Sequence, residues 1–391
     1  MSEERDYKYK VELNDSVMVL NRVYSDAGRQ NQEVMNNGQK GYWKPNLGMR
    51  KKDYKFTKTS AAMYGEFIAH ILQEKIGFPS CKVEMIKRNL VLPRSASGKT
   101  AEVPGCISYI DLNEGEALVQ AINVLAWYKT EHPKEYVEIM NPLGEHSEGD
   151  HEISIHNENN NNNIELVIPA MEAYAKERCN ATPEQIQQLR QDIINMTVFD
   201  CKFGNTDRND ENYGIAISKD GFRLYPTFDN EYILGFSEFV EDLEKFSGAR
   251  LQEHIDKDLT SRMGITSQVT KIGYQSMLTY LFTTFPEETK KAYENIMKIT
   301  ESDLVEIMDD CDGLDEVHKD YALRIFRSRN RGFKYVKEEY IDEQGNFIPQ
   351  VLPGNKPMEL VKRRSSSKSP ISKTGESQNK SQTTLPEEKE R

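Results

Sequence analysis

The stretch from Gly204 to Asn230 reads GNTDRNDENYGIAISKDGFRLYPTFDN, and it decides how the rest of the chain is interpreted. An alternating apolar run is interrupted by Asp220 and Gly221, a strong signal for a two-residue hairpin turn. With these two residues as the turn, the ladder places Asn212 opposite Asp229. Facing Cβ atoms in such a pair lie about 4.5–5.5 Å apart. The hairpin is therefore predicted to bring an amide and a carboxylate together.

Asn212 and Asp229 are suitable ligands for one hard cation, because Mg²⁺ prefers oxygen ligands. Asp207 lies five residues before Asn212, in the loop that follows a predicted helix over residues 182–203. The spacing Asp-x-x-x-x-Asn is that of catalytic loops in phosphoryl transfer, where the aspartate accepts a hydroxyl proton and the asparagine binds metal. Asp229 fits the later aspartate that holds the phosphate-bridging Mg²⁺. The alternative is simple turn chemistry, since Asp and Asn are common in turns.

A site of this kind also needs a cation for the nucleotide phosphates, usually a lysine held by a helix glutamate. Lys44, in the sequence YWKPN, follows a glycine-bearing loop, and Glu66 lies in a helix predicted over residues 60–77. Each residue alone is a weak signal, because lysines and glutamates are usually solvated. Their order along the chain matches the requirement. No GxxxxGK[ST] sequence occurs, which disfavours a P-loop NTPase.

The composition narrows the function classes. The chain of 391 residues has a formal net charge of −12, so no direct nucleic-acid binding is expected. No window approaches 18 consecutive apolar residues and the N-terminus has no apolar segment, so neither membrane insertion nor a secretion signal is expected. The five cysteines include no CxxC pair, which indicates reduced thiols and a cytoplasmic location.

The length of the chain allows two lobes, and the patterning divides it. We predict a β-rich N-lobe with one helix over residues 1–115 and a mainly helical C-lobe over 116–345. An asparagine-rich stretch, residues 141–163, is predicted to be a flexible insertion. Residues 346–391 are rich in serine and lysine and lack an apolar set, which is typical of a disordered tail.

The sequences FGNTDRNDENYGI and YPTFDNEYIL resemble the signature of HipA-like serine/threonine kinases. That family has a two-lobed, protein-kinase-like fold related to phosphoinositide kinases. YWKPN, YGEFIAHILQEKIGFP and ISYIDLNEGEAL fall where the family has its nucleotide lysine, its N-lobe helix and its hinge. The resemblance covers residues 20–335 and is specific at 204–230. The family usually has histidine after NTDR, where this chain has Asn209. An α+β, two-lobed fold is implied.

The resemblance also implies roles for individual residues. Asp207 would be the catalytic base, and Asn212 and Asp229 would hold Mg²⁺. Lys44 would bind the phosphates of ATP, with Glu66 as its partner. The other implied nucleotide contacts are three hinge residues and two candidate glycines in a phosphate-covering loop: Ser108, Tyr109, Ile110, Gly28 and Gly38.

The implied function is an ATP- and Mg²⁺-dependent kinase that phosphorylates serine or threonine on a protein substrate, with the enzyme itself as a second candidate acceptor. A cognate inhibitory partner, as in toxin–antitoxin pairs, is a candidate partner. Two alternatives stay open. One is a catalytically inactive, pseudokinase-like nucleotide-binding module that regulates a partner. The other is a phosphoinositide kinase, which the acidic balance of the chain disfavours.

Overall fold

The structure is a computed structural model, and its described parts cover most of both predicted lobes. It describes residues 7–24, 30–46, 48–49, 56–57, 61–91, 100–140, 161–245, 248–257, 260–265 and 272–348. Three predictions lie outside these ranges: those for Gly28, for residues 141–160 of the insertion, and for the tail beyond residue 348.

The N-terminal part of the chain forms a six-stranded sheet. Its strands are Glu12–Leu13 (β1), Met18–Tyr24 (β2), Gln30–Asn36 (β3), Gln39–Pro45 (β4), Val83–Val91 (β7) and Thr100–Tyr109 (β8), and the short pair Gly48–Met49 (β5) and Phe56–Thr57 (β6) follows β4. The strand order is β1-β7-β8-β4-β3-β2. All neighbours are antiparallel except β1 and β7, which run parallel.

One helix, α1 (Ala62–Ile76), packs on the inner face of this sheet against β7 and β8. The same helix is fixed to the C-terminal part of the chain. The Tyr64 hydroxyl donates to the carbonyl oxygen of Asp312 (2.7 Å), and Lys75 Nζ pairs with Asp303 Oδ1 (2.7 Å). The helix predicted to carry the lysine's partner is therefore held by both parts of the molecule.

The C-terminal part is mainly helical and carries a small second sheet. The strands of that sheet are Ala117–Gln120 (β9), Gly214–Ser218 (β10) and Gly221–Leu224 (β11), in the order β11-β10-β9, and a two-residue pair is formed by Thr260–Ser261 (β12) and Ile272–Gly273 (β13). The helices are Ala121–Glu131 (α2), Pro133–Met140 (α3), Ile164–Arg178 (α4), Pro183–Phe203 (α5), Val240–Leu243 (α6), Ala249–Lys257 (α7), Tyr274–Thr284 (α8), Pro286–Ile296 (α9), Glu301–Asp309 (α10) and Glu316–Tyr340 (α11). A β-rich N-lobe and a mainly helical C-lobe, as predicted, are thus present.

Helix α5 leads directly into the candidate site, and its start follows from local chemistry. Thr182 caps it: the Thr182 hydroxyl accepts from the Gln185 N–H (3.3 Å), and Gln185 Oε1 accepts from the Thr182 N–H (2.9 Å). Pro183 occupies the first helical position, where a missing N–H costs nothing.

The hairpin after α5 exists, but its predicted register is wrong by two residues. Ile215 pairs with Leu224 and Ser218 with Gly221, so the turn consists of Lys219 and Asp220. The predicted register would have placed Pro226 in the ladder, where proline cannot donate a hydrogen bond. In the observed register the ladder ends before that proline. Asn212 and Asp229 consequently lie beyond the ladder and are not cross-strand partners.

The apolar core is continuous between the two lobes. One cluster runs from the inner face of the six-stranded sheet, through α1, into the helices of the C-lobe. A smaller cluster around Trp43 and Ile107 covers the outer face of the sheet. Among the described helices, none combines the length and apolar character needed to cross a membrane.

Candidate active site

Asp207 and Asn212 lie in the loop between α5 and β10, and hydrogen bonds inside that loop fix their relative position. Helix α5 ends where Gly204 adopts a left-handed φ of 69°. Asn205 Oδ1 accepts from the Asp207 N–H (3.1 Å), and Asn212 Nδ2 donates to the Asp207 carbonyl oxygen (2.9 Å). The second bond uses the amide nitrogen of Asn212, so its amide oxygen points away from that carbonyl.

Arg208, next to Asp207, is fully buried and ties this loop to its surroundings. Its guanidinium binds both carboxylate oxygens of Asp200 on α5, at 2.8 and 3.1 Å. Nη1 also donates to the carbonyl oxygens of Asn212 (3.0 Å) and Phe228 (2.8 Å), and Nη2 donates to Asn230 Oδ1 (2.5 Å). One arginine therefore joins the loop to the segment after β11, a connection that the hairpin ladder does not provide.

Lys44, Glu66 and Asp229 form one set of ion pairs. Lys44 comes from β4, Glu66 from α1 and Asp229 from the segment after β11, so three separate parts of the chain meet here. Lys44 Nζ lies 2.8 Å from Asp229 Oδ1 and also pairs directly with Glu66 Oε1. The Glu66 side chain is 1% exposed and that of Asp229 is 33% exposed. The set is therefore closed at Glu66 and open to solvent at Asp229.

The two carboxylates keep Lys44 charged. Burial alone would lower the pKa of Lys44, but the nearby charges of Asp229 and Glu66 outweigh it and raise the pKa well above its usual value. Lys44 is therefore a permanent cation at the inner end of the site.

Asp229 has a φ of 59°, in the left-handed region that few residues other than glycine adopt. Asp and Asn tolerate this conformation best. Such a conformation persists where the surroundings fix it, and here Arg208 binds the residues on both sides, Phe228 and Asn230. The turn of the backbone directs the Asp229 carboxylate to Lys44.

Asn212 and Asp229 offer the oxygen donors that a nucleotide-bound Mg²⁺ uses. In the described ranges, no group of three His, Cys, Asp or Glu side chains could hold a metal on its own. Mg²⁺ is usually held by one or two carboxylates together with waters and substrate phosphates. An amide oxygen and a partly exposed carboxylate fit that donor set.

Gly65 allows α1 to approach the segment after Asp229. A Cβ added at Gly65 would lie 2.6 Å from the carbonyl oxygen of Glu231, a distance that real Cβ atoms do not show. Because Gly65 directly precedes Glu66, this close packing also places the glutamate against Lys44.

The predicted hinge residues lie at the end of β8. Ser108 is on the inner face of the sheet, opposite Val83, and its hydroxyl is buried with no hydrogen-bond partner among the described residues. Tyr109 points to the outer face, where its hydroxyl contacts Asn36 Nδ2 (2.6 Å) and Glu84 Oε2 (2.5 Å). The structure brings the side chain of Ser108, but not that of Tyr109, to the face that carries Lys44.

The backbone of the predicted hinge is engaged within the sheet. The Tyr109 N–H donates to the carbonyl oxygen of Lys82 (2.9 Å), and the Ile110 N–H donates to that of Lys40 (3.0 Å). In the connecting segment 111–116, the N–H groups of Asp111, Asn113 and Glu116 are bonded as well.

That connecting segment is clamped to β11. Arg223 Nη1 lies 3.0 Å from Asp111 Oδ2, and Arg223 Nη2 lies 2.8 Å from Glu116 Oε2. The hydrogen bond from Arg223 is the main reason that the pKa of Glu116 is lowered to about 2. The Asp111 N–H also donates to the Tyr225 hydroxyl (2.9 Å). The link between the lobes is thus attached to the C-lobe sheet at several points.

The predicted phosphate-covering loop has two candidate glycines, Gly28 and Gly38. Gly28 falls outside the described residues. Gly38 lies in the turn between β3 and β4, where Asn37 and Gly38 both have positive φ (49° and 78°), which is typical of a type I′ hairpin. This turn is at the opposite end of β4 from Lys44, so the structure does not bring Gly38 to the lysine.

Several residues of the site were not identified from the sequence. Asp200 and Arg208 are eight residues apart, and no spacing rule predicts that their side chains pair. A glycine inside a helix, such as Gly65, is a known sign of close packing. Nothing in the sequence indicated Arg262. Its Nη1 lies 2.6 Å from Asp207 Oδ1, a contact that only the fold creates.

Comparisons with solved structures identify the fold. CtkA, a proinflammatory kinase of Helicobacter pylori, superposes with a TM-score of 0.59 at 14% identity, over 84% of this chain and 98% of CtkA. HipA of Shewanella oneidensis, solved with HipB and operator DNA, gives a TM-score of 0.45 at 14% identity, over 82% of this chain and 67% of HipA. Hydra Fam20, solved with sugar, gives a TM-score of 0.40 at 12% identity, over 86% of this chain and 90% of Fam20.

The likeness to CtkA shows that the chain has a kinase fold. The prediction of a two-lobed, protein-kinase-like fold is thereby confirmed. No family model matches the chain, and a comparison with curated proteins likewise gives no match.

Proposed function

We propose that the chain is a kinase that uses ATP and Mg²⁺ to phosphorylate serine or threonine on a protein, including the kinase itself as an acceptor. The observation that carries this proposal is the meeting of Lys44 with Glu66 and Asp229, beside a loop that holds Asp207 and Asn212 together. The CtkA-like fold supports it.

Each residue has a role that its position fits. Lys44 binds phosphate oxygens, and Glu66 holds the lysine in place. The acceptor hydroxyl oxygen forms a bond to the γ-phosphorus, the bond from that phosphorus to the β–γ bridging oxygen breaks, and ADP leaves. Asp207 takes the proton of the hydroxyl. Asn212 and Asp229 would hold Mg²⁺, which supplies charge neutralisation at the phosphates.

The replacement Asp207→Asn tests this assignment. It keeps the shape of the side chain but removes the proton acceptor, so transfer from labelled ATP to protein should fall by about 100-fold or more. Nucleotide binding and the unfolding temperature should stay close to wild type. The matched control is Asp220→Asn in the exposed hairpin turn, which should keep wild-type transfer. Wild-type turnover in the Asp207→Asn protein would rule out its role as base.

Two further measurements separate the alternatives. If ATP and Mg²⁺ raise the unfolding temperature of the wild type but no acceptor is phosphorylated, the chain is a nucleotide-binding module and the proposal is wrong. Protein substrates and inositol lipids should be offered in parallel. Transfer to lipid alone would show that the acceptor is a lipid and not a protein. A cognate inhibitory partner and a cytoplasmic location stay predictions, to be tested by co-purification and by imaging in the native cell.

A further inference from the structure

Arg262 and Asp207 form an ion pair between two segments that are far apart in the sequence. Arg262 Nη1 lies 2.6 Å from Asp207 Oδ1. The Arg262 side chain is 61% exposed and that of Asp207 only 15%, so a surface guanidinium covers a largely enclosed carboxylate. Exposed ion pairs add little to stability. The position of this pair, at the proposed catalytic base, therefore points to a role other than stability.

The backbone that carries Arg262 is held firmly. Arg262 follows β12, and the next residues, Met263 and Ile265, are both buried in the core. Between them, the Gly264 N–H donates to the carbonyl oxygen of Asn162 (2.9 Å). The exposed arginine therefore projects from a segment whose neighbours are fixed.

Asn162 connects this segment to the loop of Asp207. Its Nδ2 donates to the carbonyl oxygen of Arg208 (2.7 Å), and its Oδ1 accepts from the Tyr213 hydroxyl (3.0 Å). Asn162 and Asn163 belong to the stretch 141–163 that was predicted to be a flexible insertion. Both are buried, and Asn163 caps α4. The end of that stretch thus sets the distance between Arg262 and the loop.

We propose that Arg262 is a positioning residue whose guanidinium fixes the orientation of the Asp207 carboxylate toward the acceptor hydroxyl. This inference rests on the proposed function. The torsion that rotates a carboxylate is broad, and the ion pair between Arg262 Nη1 and Asp207 Oδ1 restrains it. With Oδ1 held by Arg262, the proton of the acceptor goes to Oδ2. Even a displacement of about 1 Å can cost about 100-fold in rate, so this restraint matters for transfer.

The first test compares Arg262→Ala with Arg262→Lys. The alanine variant should lose about 10- to 100-fold in kcat, while KM for ATP stays within about 2-fold, because the nucleotide contacts are untouched. The Arg262→Lys variant should keep part of the kcat that Arg262→Ala loses. Guanidinium ion added to Arg262→Ala should also restore part of kcat. Arg324→Ala is the matched control, since Arg324 forms an exposed pair with Asp320 on α11.

A double-mutant cycle with Asp207→Asn decides whether Arg262 acts through the base. In the Asp207→Asn background the Arg262→Ala change should cause less than about 2-fold further loss in single-turnover transfer. Full additivity of the two losses, or a wild-type kcat in Arg262→Ala, would overturn the positioning role. A wild type that phosphorylates no acceptor would instead contradict the proposed function itself.

Discussion

Lys44 pairs with two carboxylates at once, and one of them, Glu66, is almost completely buried. Glu66 is 1% exposed, so its charge depends on the lysine rather than on water. Taking away one partner of a buried pair leaves an uncompensated charge, which costs more than the pair itself contributes. The nucleotide-binding lysine of the proposal is thus also a structural residue of the apoprotein.

The change Lys44→Met should lower the free energy of unfolding by about 3 kcal/mol, because Glu66 then stays buried without its cation. Urea unfolding followed by circular dichroism measures this loss. The control Lys75→Met removes a lysine that is 44% exposed and paired with Asp303, and should cost less than about 1 kcal/mol. Equal losses in the two variants would contradict the view that Glu66 depends on Lys44.

At the scale of elements, the position of α1 depends on a contact that only glycine permits. Gly65→Ala should push the helix away from the carbonyl oxygen of Glu231, because the two atoms would otherwise lie 2.6 Å apart. We expect a loss of about 1–3 kcal/mol in unfolding free energy, as is usual for overpacking, together with weaker ATP binding.

Thermal unfolding and nucleotide titration check this outcome. Gly273→Ala serves as the control, since a Cβ at Gly273 meets nothing within 4 Å. Equal stability and equal ATP affinity in Gly65→Ala and Gly273→Ala would show that the close contact at Gly65 has no consequence.

The hairpin shows which features of an element can be predicted from local sequence. The Asp-Gly signal correctly indicated a tight turn between two strands. The predicted register was wrong because it placed Pro226 in the ladder, and a third strand, which the local sequence does not indicate, further constrains β10. β10 pairs with β9, and a Cβ at Gly214 would lie 2.3 Å from the carbonyl oxygen of Val119. That constraint comes from a part of the chain almost a hundred residues earlier.

At the scale of the whole molecule, stability should depend on pH through a lysine outside the candidate site. Lys202 is fully buried between Phe326 and Phe333, with its Nζ 4.7 and 5.2 Å from the two ring centroids. Burial, and then the charge of Lys334, lower the pKa of Lys202 to about 7. Between pH 7 and the ordinary pKa of about 10.4, the unfolded chain binds more protons here than the folded chain does, so this group makes stability rise with pH.

Replacing Lys202 with methionine should remove that rise, which amounts to about 1 kcal/mol per pH unit. Unfolding free energies of the two proteins, measured between pH 6.5 and 9.5, test this. The variant should be the more stable protein at pH 7, and the difference should shrink as the pH increases. Parallel pH profiles would show that Lys202 is charged in the folded state as in the unfolded one.

The lobes and the main helices follow from patterns that are local in the sequence, and so does the choice of Asp207, Asn212 and Lys44 as candidates. The contacts that join these residues do not follow from local patterns. The contacts of Arg208 and Arg262 link buried or distant groups, and no spacing rule indicates which carboxylate a given arginine will meet. The stretch 204–230 therefore provided Asp207, Asn212 and Asp229 as candidates and YWKPN provided Lys44, whereas the contacts that connect these residues needed the structure.

Helix α1 is attached to both lobes, and this limits how the lobes can separate. The apolar core passes through this helix without a break, and Tyr64 and Lys75 fasten the helix to the C-lobe. Within the described residues, the two lobes cannot separate without exposing apolar surface to water. For the proposed nucleotide binding, we therefore expect local motion of the strands around Lys44 rather than a rigid rotation of one lobe against the other.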